Sequence, residues 1–400
     1  FVFGLGPGEK SEYVLQRMRR SLKQGRRVVL IVPEQQVLTW DRRCAQSLPA
    51  CAMLQAEVVS FTRLADSVFR RFGGVAKRYI TDAKKTLVMW NALAALRGSL
   101  HIYRRGDRED RYIPLLLRTV SELKTYSITP AMLEDGARQL DTEGKNKGLA
   151  EKLRDLAAIF AAYDVLLHTA YDDPLEIPDA LVRTLEGHDF FGGCDVYVDS
   201  FYTFTPGEKR ITEQILRQAE DFTMTFACPL EKSAGGEMHL EHIRKFVHDM
   251  ARLCAVSGRE VQTREISCKV AGPLGVLTRS LWDHTAQPYE GSAENVQIFR
   301  CKDVYDEAYA AGSVIQQLVQ TGASYGKIAV VAADIETRRG ITDTILSSLG
   351  IPVYLSGKKT AVMQPAVRLL LSAAAVVAGG WKREDVIACA KTGFAGIPAD

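Results

Sequence analysis

The residues most able to do chemistry lie near the start of the chain, in the stretch GLGPGEKS. It follows most of the phosphate-binding pattern G-x-x-x-x-G-K-[ST], with Gly4 as the first glycine and Lys10 and Ser11 as the closing pair. In such a loop, backbone N–H groups at the start of a helix bind phosphate, the lysine neutralises charge and the serine hydroxyl ligates magnesium. The pattern predicts a nucleotide site made of Gly4, Gly6, Gly8, Lys10 and Ser11.

One residue departs from this pattern. Glu9 stands where the last glycine belongs, and its carboxylate would lie near phosphate charge of the same sign. In a partly desolvated site such repulsion costs on the order of a kcal/mol or more. Three interpretations therefore stay open: a working nucleotide loop, a weakened one, and an ordinary glycine-rich turn between a strand and a helix.

The expected partner of a phosphate loop is an acidic residue at the end of a later strand, where it holds magnesium. Asp199 fits this role, because it follows the apolar run in CDVYVDSF and precedes a predicted helix. Hydrolysis usually also needs a base beside that aspartate, but the next residue is Ser200. Asp199 is thus the tentative magnesium ligand. Asp199 and Glu208 are weak candidates for catalysis, and no catalytic residue is certain.

The elements that would position these residues alternate in type. Short apolar runs alternate with amphipathic stretches over 1–80 and again from about 190, which predicts a parallel sheet with crossover helices. Between 80 and 190 the apolar residues recur at helical spacing. We therefore predict an α/β fold with a first domain at 1–80 plus 190–290, an all-helical insertion at 80–190, and the start of a second α/β domain at 291–400. Strands are predicted in this last part at 295–301, at 327–333 and around IPVYL.

Composition sets further bounds. The net charge is only +3, so any affinity for nucleic acid must come from local patches. The eight cysteines are scattered singly, which predicts no zinc or iron site here and suits a reducing cytoplasm. The longest apolar stretch is too short to cross a bilayer. Because the sequence starts inside an apolar run and stops just after a helical pattern, we expect a piece of a longer protein.

Four residues near predicted strand ends are candidate contacts for single-stranded DNA: Trp40, Phe61, Arg63 and Tyr202. Single strands are bound by basic grooves in which aromatic rings stack on the bases. The ligand-binding edge of a parallel sheet lies at the carboxyl ends of its strands, where these residues are expected. An aromatic residue at such a position also serves as core filler, so both interpretations stay open.

Several longer segments together carry a resemblance. VLIVPEQQ at 29–36, VVSFTRLA at 58–65, VYVDSFYTFTPGE at 196–208 and the segment 350–397 resemble the AddB family over essentially the whole chain. These proteins, called RexB in some lineages, are the B subunits of bacterial AddAB helicase–nucleases. The resemblance implies RecA-like P-loop domains in a UvrD-type helicase architecture with a helical insertion. It places a nuclease domain and an iron–sulfur cluster in a C-terminal part outside these residues.

The resemblance also implies roles for residues. Lys10 and Ser11 would be nucleotide-loop residues, Asp199 the magnesium aspartate, and the segment 60–65 would lead toward single-stranded DNA. The expected function is that of a helicase-like subunit in DNA-break processing. It would pair with an AddA-type subunit, bind single- and double-stranded DNA and recognise a Chi-type sequence. ATP and magnesium are possible cofactors of a degenerate site, since Glu9 and Ser200 depart from the motor pattern. An active ATP-dependent helicase and a non-catalytic scaffold are the alternatives.

Overall fold

A computed structural model describes residues 1–6, 8–73, 79–103, 109–144, 146–231, 238–281, 283, 285–355 and 361–394. The chain forms two compact units, Phe1–Val296 and Gln297–Asp400. The first unit contains a sheet of six strands: β1 (Val2–Phe3), β2 (Arg27–Ile31), β3 (Ala56–Val59), β4 (Cys194–Val198), β5 (Asp221–Phe226) and β6 (Arg264–Glu265). Their order is β3-β2-β4-β5-β1-β6, and every pairing is parallel. The predicted α/β class with a parallel sheet is confirmed.

Helices connect the strands of this sheet. In the first unit they are α1 (Glu9–Lys23), α2 (Glu34–Ser47), α3 (Phe61–Phe72), α4 (Asp82–Ala95), α5 (Glu109–Thr125), α6 (Pro130–Thr142), α7 (Lys147–Ala170), α8 (Ile177–Gly187), α9 (Pro206–Gln218), α10 (Glu241–Val256) and α11 (Gly272–Ser280). Strands β2 and β4 are almost continuously apolar because helices cover both faces of a parallel sheet.

The two faces of the sheet have separate cores, as the alternation of side chains along a strand requires. Val29 and Ile31 of β2 join a cluster that includes residues of α3, α8, α9 and α10. Val28 and Leu30 point the other way and pack with α1 and α2. Tyr197 lies in this second cluster, and its buried hydroxyl is 2.8 Å from Ser21 Oγ of α1. The sheet is thus held by apolar packing on both sides.

The segment between β3 and β4 is predominantly helical, as its apolar spacing predicts. Helices α4 to α7 contribute to a third cluster, which contains Met89, Leu116, Ile159 and Phe160. In the described residues this segment holds one isolated bridge, Tyr79 with Asp172, and no named strand. The exact limits of the domains stay a prediction.

A partly buried ion cluster joins the helices of this segment. Lys124 of α5 lies 2.6 Å from Asp164 of α7 and 2.7 Å from Asp173, which is 2% exposed at its side chain. Glu176 lies 3.6 Å from the same ammonium and also contacts His168. Burial alone would lower the pKa of Lys124, but hydrogen bonds to Asp164 and Asp173 outweigh it and raise that pKa. One lysine therefore balances several carboxylates.

The second unit contains α12 (Val304–Gln320), α13 (Ile335–Arg338), α14 (Thr342–Ser348), α15 (Pro365–Ala378) and α16 (Arg383–Ala390). The strands predicted at 295–301, 327–333 and around IPVYL are wrong, since no residue described in this unit belongs to a strand. Ile298 is 95% exposed and Val331 is 90% exposed. An apolar run becomes a strand only when a neighbouring strand takes its backbone hydrogen bonds, and none is found in the described part of this unit.

The ion cluster predicts a large effect of removing its lysine. We expect Lys124→Ala to lower the free energy of unfolding by about 3–5 kcal/mol, because it leaves the buried Asp173 carboxylate without its counter-charge. Lys152→Ala on the exposed side of α7 is the matched control and should change it by less than about 0.5 kcal/mol. Urea unfolding followed by circular dichroism measures both. Equal losses in the two variants would contradict this account of the cluster.

Candidate nucleotide-binding site

The glycine-rich stretch forms the connection from β1 to α1. The N–H of Gly4 donates to the carbonyl of Cys228, at 2.9 Å, just after β5. Gly8 precedes the helix with φ of 90°, a left-handed conformation that glycine adopts without strain. The Lys10 ammonium turns back and donates to the carbonyls of Gly4 at 2.6 Å and Gly6 at 3.4 Å. The structure therefore brings the predicted loop residues together at the start of a helix.

Asp199 lies at the carboxyl end of β4 and is 2% exposed. Its Oδ2 accepts hydrogen bonds from the hydroxyls of Ser11 and Ser200, each at 3.1 Å. Its Oδ1 accepts one from the hydroxyl of Thr225 on β5, at 2.5 Å. A buried carboxylate thus links the loop helix to two strands. The two side chains that the sequence singled out separately, Ser11 and Asp199, are in direct contact.

The charged side chains around the loop interact with one another. Burial lowers the pKa of the Lys10 ammonium, while Asp199 and Glu9 act to raise it. The Glu9 carboxylate accepts a hydrogen bond from the backbone N–H of Lys269, at 2.9 Å, in the segment after β6. That bond and the N–H of Glu9 itself lower the pKa of Glu9. Glu9 is therefore bound within the loop region as an anion.

Neither Ser200 nor Glu208 is placed as a hydrolytic base beside Asp199. Ser200 has φ of 68°, a left-handed conformation uncommon for a residue with a side chain, and its hydroxyl donates to Asp199. Glu208 accepts from the backbone N–H of Thr205 at 2.7 Å and from its hydroxyl at 3.0 Å, and so forms a capping box at the start of α9. Its carboxylate is occupied by helix capping, so the geometry gives Glu208 no catalytic role.

The four predicted DNA contacts divide into two pairs. Trp40 is 1% exposed and Phe61 is 9% exposed, and each belongs to a core cluster. A buried ring has no free face for a base, so the burial of these two rings favours the interpretation as core filler. Tyr202 is 56% exposed, and Arg63 lies at the surface in an ion pair with Glu34, at 2.9 Å. Arg63 and Tyr202 remain candidates.

Other residues of the site gave little signal in the sequence. Thr225 looked like an ordinary strand residue, although a polar residue inside an apolar strand is a weak sign of a buried hydrogen bond. The short strand β6 has no apolar pattern, and Lys269 contributes only its backbone N–H. Glu34, which also accepts from the Ser60 hydroxyl, was not singled out.

Two further observations limit the kinds of site that the described residues can form. Among them there is no group of three or more His, Cys, Asp or Glu side chains that could hold a metal ion. No described helix is long and apolar enough to cross a membrane. Asp199 and Ser11 together supply one carboxylate and one hydroxyl. These two groups are part of the set of ligands that a magnesium ion takes.

The fold and site define an α/β protein with a parallel sheet and a glycine-rich loop beside a buried aspartate. A family model described as ADDB, N-terminal, matches residues 1–271. The chain belongs to this family.

Relatives match along the whole chain. The B subunit of the ATP-dependent helicase/deoxyribonuclease of Caldanaerobacter subterraneus subsp. tengcongensis is 25% identical over 409 residues, which cover 99% of this chain and 35% of that protein. Proteins of the same name from Clostridium kluyveri and Alkaliphilus oremlandii are 26% and 27% identical, each over 100% of this chain and 36% of their own length. The chain therefore spans about a third of the length of these relatives.

The hydroxyl on β5 offers a direct test of the Asp199 cluster. We expect Thr225→Val to lower the free energy of unfolding by about 1.5–3 kcal/mol, because a buried carboxylate loses a hydrogen-bond donor. Thr223→Val, on the same strand and the same face, is the matched control, and we expect a clearly smaller loss from it. Urea midpoints measure both variants. A loss at Thr225 no larger than that at Thr223 would show that the carboxylate does not depend on this hydroxyl.

Proposed function

We propose that this chain is the helicase-like part of the B subunit of a complex that processes DNA double-strand breaks. In this role it binds single-stranded DNA and recognises a Chi-type sequence, and its nucleotide site is degenerate. The observation that carries the proposal is the contact of Ser11 with Asp199 at the carboxyl edge of a parallel sheet. Helicase motors place a phosphate loop and a magnesium aspartate in this relation. A RecA-like fold of the UvrD type is part of the proposal.

Lys10, Ser11 and Asp199 are the residues that would hold a magnesium–nucleotide complex. One carboxylate and one hydroxyl suit magnesium, which takes few protein ligands and keeps water and substrate phosphates for the rest. Bound magnesium would neutralise phosphate charge. Two residues argue against hydrolysis, because neither supplies a general base. Ser200 carries no carboxylate, and the carboxylate of Glu208 caps α9. These two residues favour a degenerate site over the alternative of an active motor.

Single-stranded DNA is proposed to contact the surface near the starts of α3 and α9. Arg63 follows β3 and Tyr202 follows β4, and the carboxyl ends of parallel strands share one edge of a sheet. Arg63 supplies positive charge for a phosphate and Tyr202 an exposed ring for a base. The ion pair with Glu34 would hold the Arg63 guanidinium in place.

The partner and the remaining activities are inferred from the relatives. Their names describe the B subunit of an ATP-dependent helicase/deoxyribonuclease, so we infer a heterodimer with an AddA-type subunit that supplies translocation. We place the nuclease and any iron–sulfur cluster in the two thirds of these relatives that the chain does not span. Double-stranded DNA is the substrate of the assembled complex, and the cytoplasm is its proposed location.

Substitution of Arg63 and Tyr202 tests the DNA surface. We expect Tyr202→Ala to weaken binding of a fluorescent single-stranded oligonucleotide by about 1–3 kcal/mol through loss of stacking. Arg63→Gln should make the slope of log affinity against log salt concentration less steep, by the amount that corresponds to about one phosphate contact. Fluorescence anisotropy over a range of salt concentrations measures both.

Matched surface residues serve as controls for this experiment. Tyr126→Ala removes a ring that is 62% exposed, and Arg217→Gln removes an arginine that is ion-paired with Glu213 and exposed to nearly the same degree as Arg63. Both controls should bind as the unaltered chain does. If the chain binds no DNA, the DNA-binding role is refuted and the alternative of a scaffold subunit is favoured. If the chain binds DNA and all four variants bind equally well, the proposed contact at Arg63 and Tyr202 is refuted.

A further inference from the structure

The first turn of α1 carries two glutamates that behave differently. Glu12 is exposed, and its carboxylate accepts a hydrogen bond from the Gln16 side chain one turn along the same helix. Glu9, the first residue of the helix, turns back over the glycine-rich loop. Any acid in a first turn interacts favourably with the helix dipole. Of these two, only Glu9 also fills space inside the loop.

The position of the Glu9 carboxylate is defined by its contacts. A β-carbon built on Gly6 would lie 2.7 Å from the Glu9 carboxyl carbon and 2.8 Å from Oε1, so the carboxylate lies directly against this glycine. Oε1 accepts the Lys269 N–H at 2.9 Å. Oε2 is buried and has no hydrogen-bond partner in the described structure. The carboxylate is thus packed against the loop, with Oε2 shielded from solvent.

The segment that follows β6 covers the loop from the other side. The N–H of Ile266 donates to the carbonyl of Phe3 at 2.8 Å, which continues the pairing of β6 with β1. The carbonyl of Ile266 then lies 2.7 Å from where a β-carbon on Gly4 would be. Three residues later the N–H of Lys269 reaches Glu9. Sheet pairing therefore fixes the donor that holds the carboxylate.

We propose that the Glu9 carboxylate is an internal anion that takes the place of a nucleotide phosphate in this loop and so excludes ATP. The inference rests on the proposed function only in treating the loop as a former nucleotide site. Glu9 is then the residue that determines ligand specificity, since its carboxylate already lies against Gly6 and is held by the Lys269 N–H.

Charge and donors both support this exclusion. The Lys10 ammonium already donates to two loop carbonyls and is attracted by Glu9, so its charge is partly neutralised before any ligand arrives. An entering phosphate would meet the Glu9 charge at close range or have to displace it from Lys269. Residue 7 of the loop is a proline, which has no N–H to offer a phosphate.

Nucleotide binding tests the proposal directly. Calorimetric titration with a non-hydrolysable ATP analogue and Mg²⁺ should show no binding up to millimolar concentration for the unaltered chain. Glu9→Gly should bind at least about tenfold more tightly. Adding Lys10→Ala to Glu9→Gly should abolish the gain, and Glu12→Gln should behave as the unaltered chain. The proposal is overturned if the unaltered chain binds as tightly as Glu9→Gly, if Glu9→Gly gains nothing, or if the gain survives loss of Lys10.

A second readout does not depend on any nucleotide. Hydrogen exchange at the Lys269 amide should be faster in Glu9→Gly than in the unaltered chain, and unchanged in Glu12→Gln, because Glu9 and not Glu12 accepts this N–H. Glu9→Gln keeps a side-chain oxygen that can accept this N–H but removes the charge, so its exchange rate at Lys269 should be intermediate. Equal rates in all variants would show that the carboxylate is not held there. Oligonucleotide binding is measured on the same samples. The proposed DNA role predicts that Glu9→Gly still binds DNA, so a failure of that role can be told apart from a failure of the Glu9 proposal.

Discussion

The structure of the first unit depends on one buried carboxylate. Asp199 is almost fully desolvated, and a charge in that position is tolerated only when hydrogen-bond donors surround it. Its donors come from the loop helix, from β5 and from the residue that follows it. Ser11 lies 188 positions earlier in the chain, so the sheet must bring distant segments to one edge. The strand order does so, because only β5 separates β4 from β1.

The same strand order explains how a large helical segment can interrupt the sheet. Ile31 on β2 is paired with Val59 of β3 on one side and with Val198 of β4 on the other. The helical segment leaves the sheet at β3 and returns at β4, so its two ends are both next to β2. It then packs around a cluster of its own and the ion cluster at Lys124, and it does not disturb the strands that carry the site.

The sequence predicted the parallel sheet and singled out Ser11 and Asp199 because both signals are local: apolar runs, and residue types at fixed spacing. Three features escaped prediction for physical reasons. Whether Trp40 faces a core or a ligand depends on packing across the sheet. The Lys269 donor is a backbone N–H, which no residue type signals. Strands in the second unit need partners that an apolar run does not specify. The sequence predicts that the Glu9 carboxylate repels phosphate. The structure shows in addition that the N–H of Lys269 stabilises the negative charge of this carboxylate.

These observations describe a glycine-rich loop that is assembled at the start of α1, with the Glu9 side chain lying against it. The most direct test is an experimental structure of the chain in the presence of Mg²⁺ and a millimolar ATP analogue. The account predicts that the Glu9 carboxylate lies against Gly6 and accepts the Lys269 N–H, with no nucleotide on the loop. A triphosphate bound along residues 4–11, with Glu9 turned outward and magnesium between Ser11 and Asp199, would contradict it.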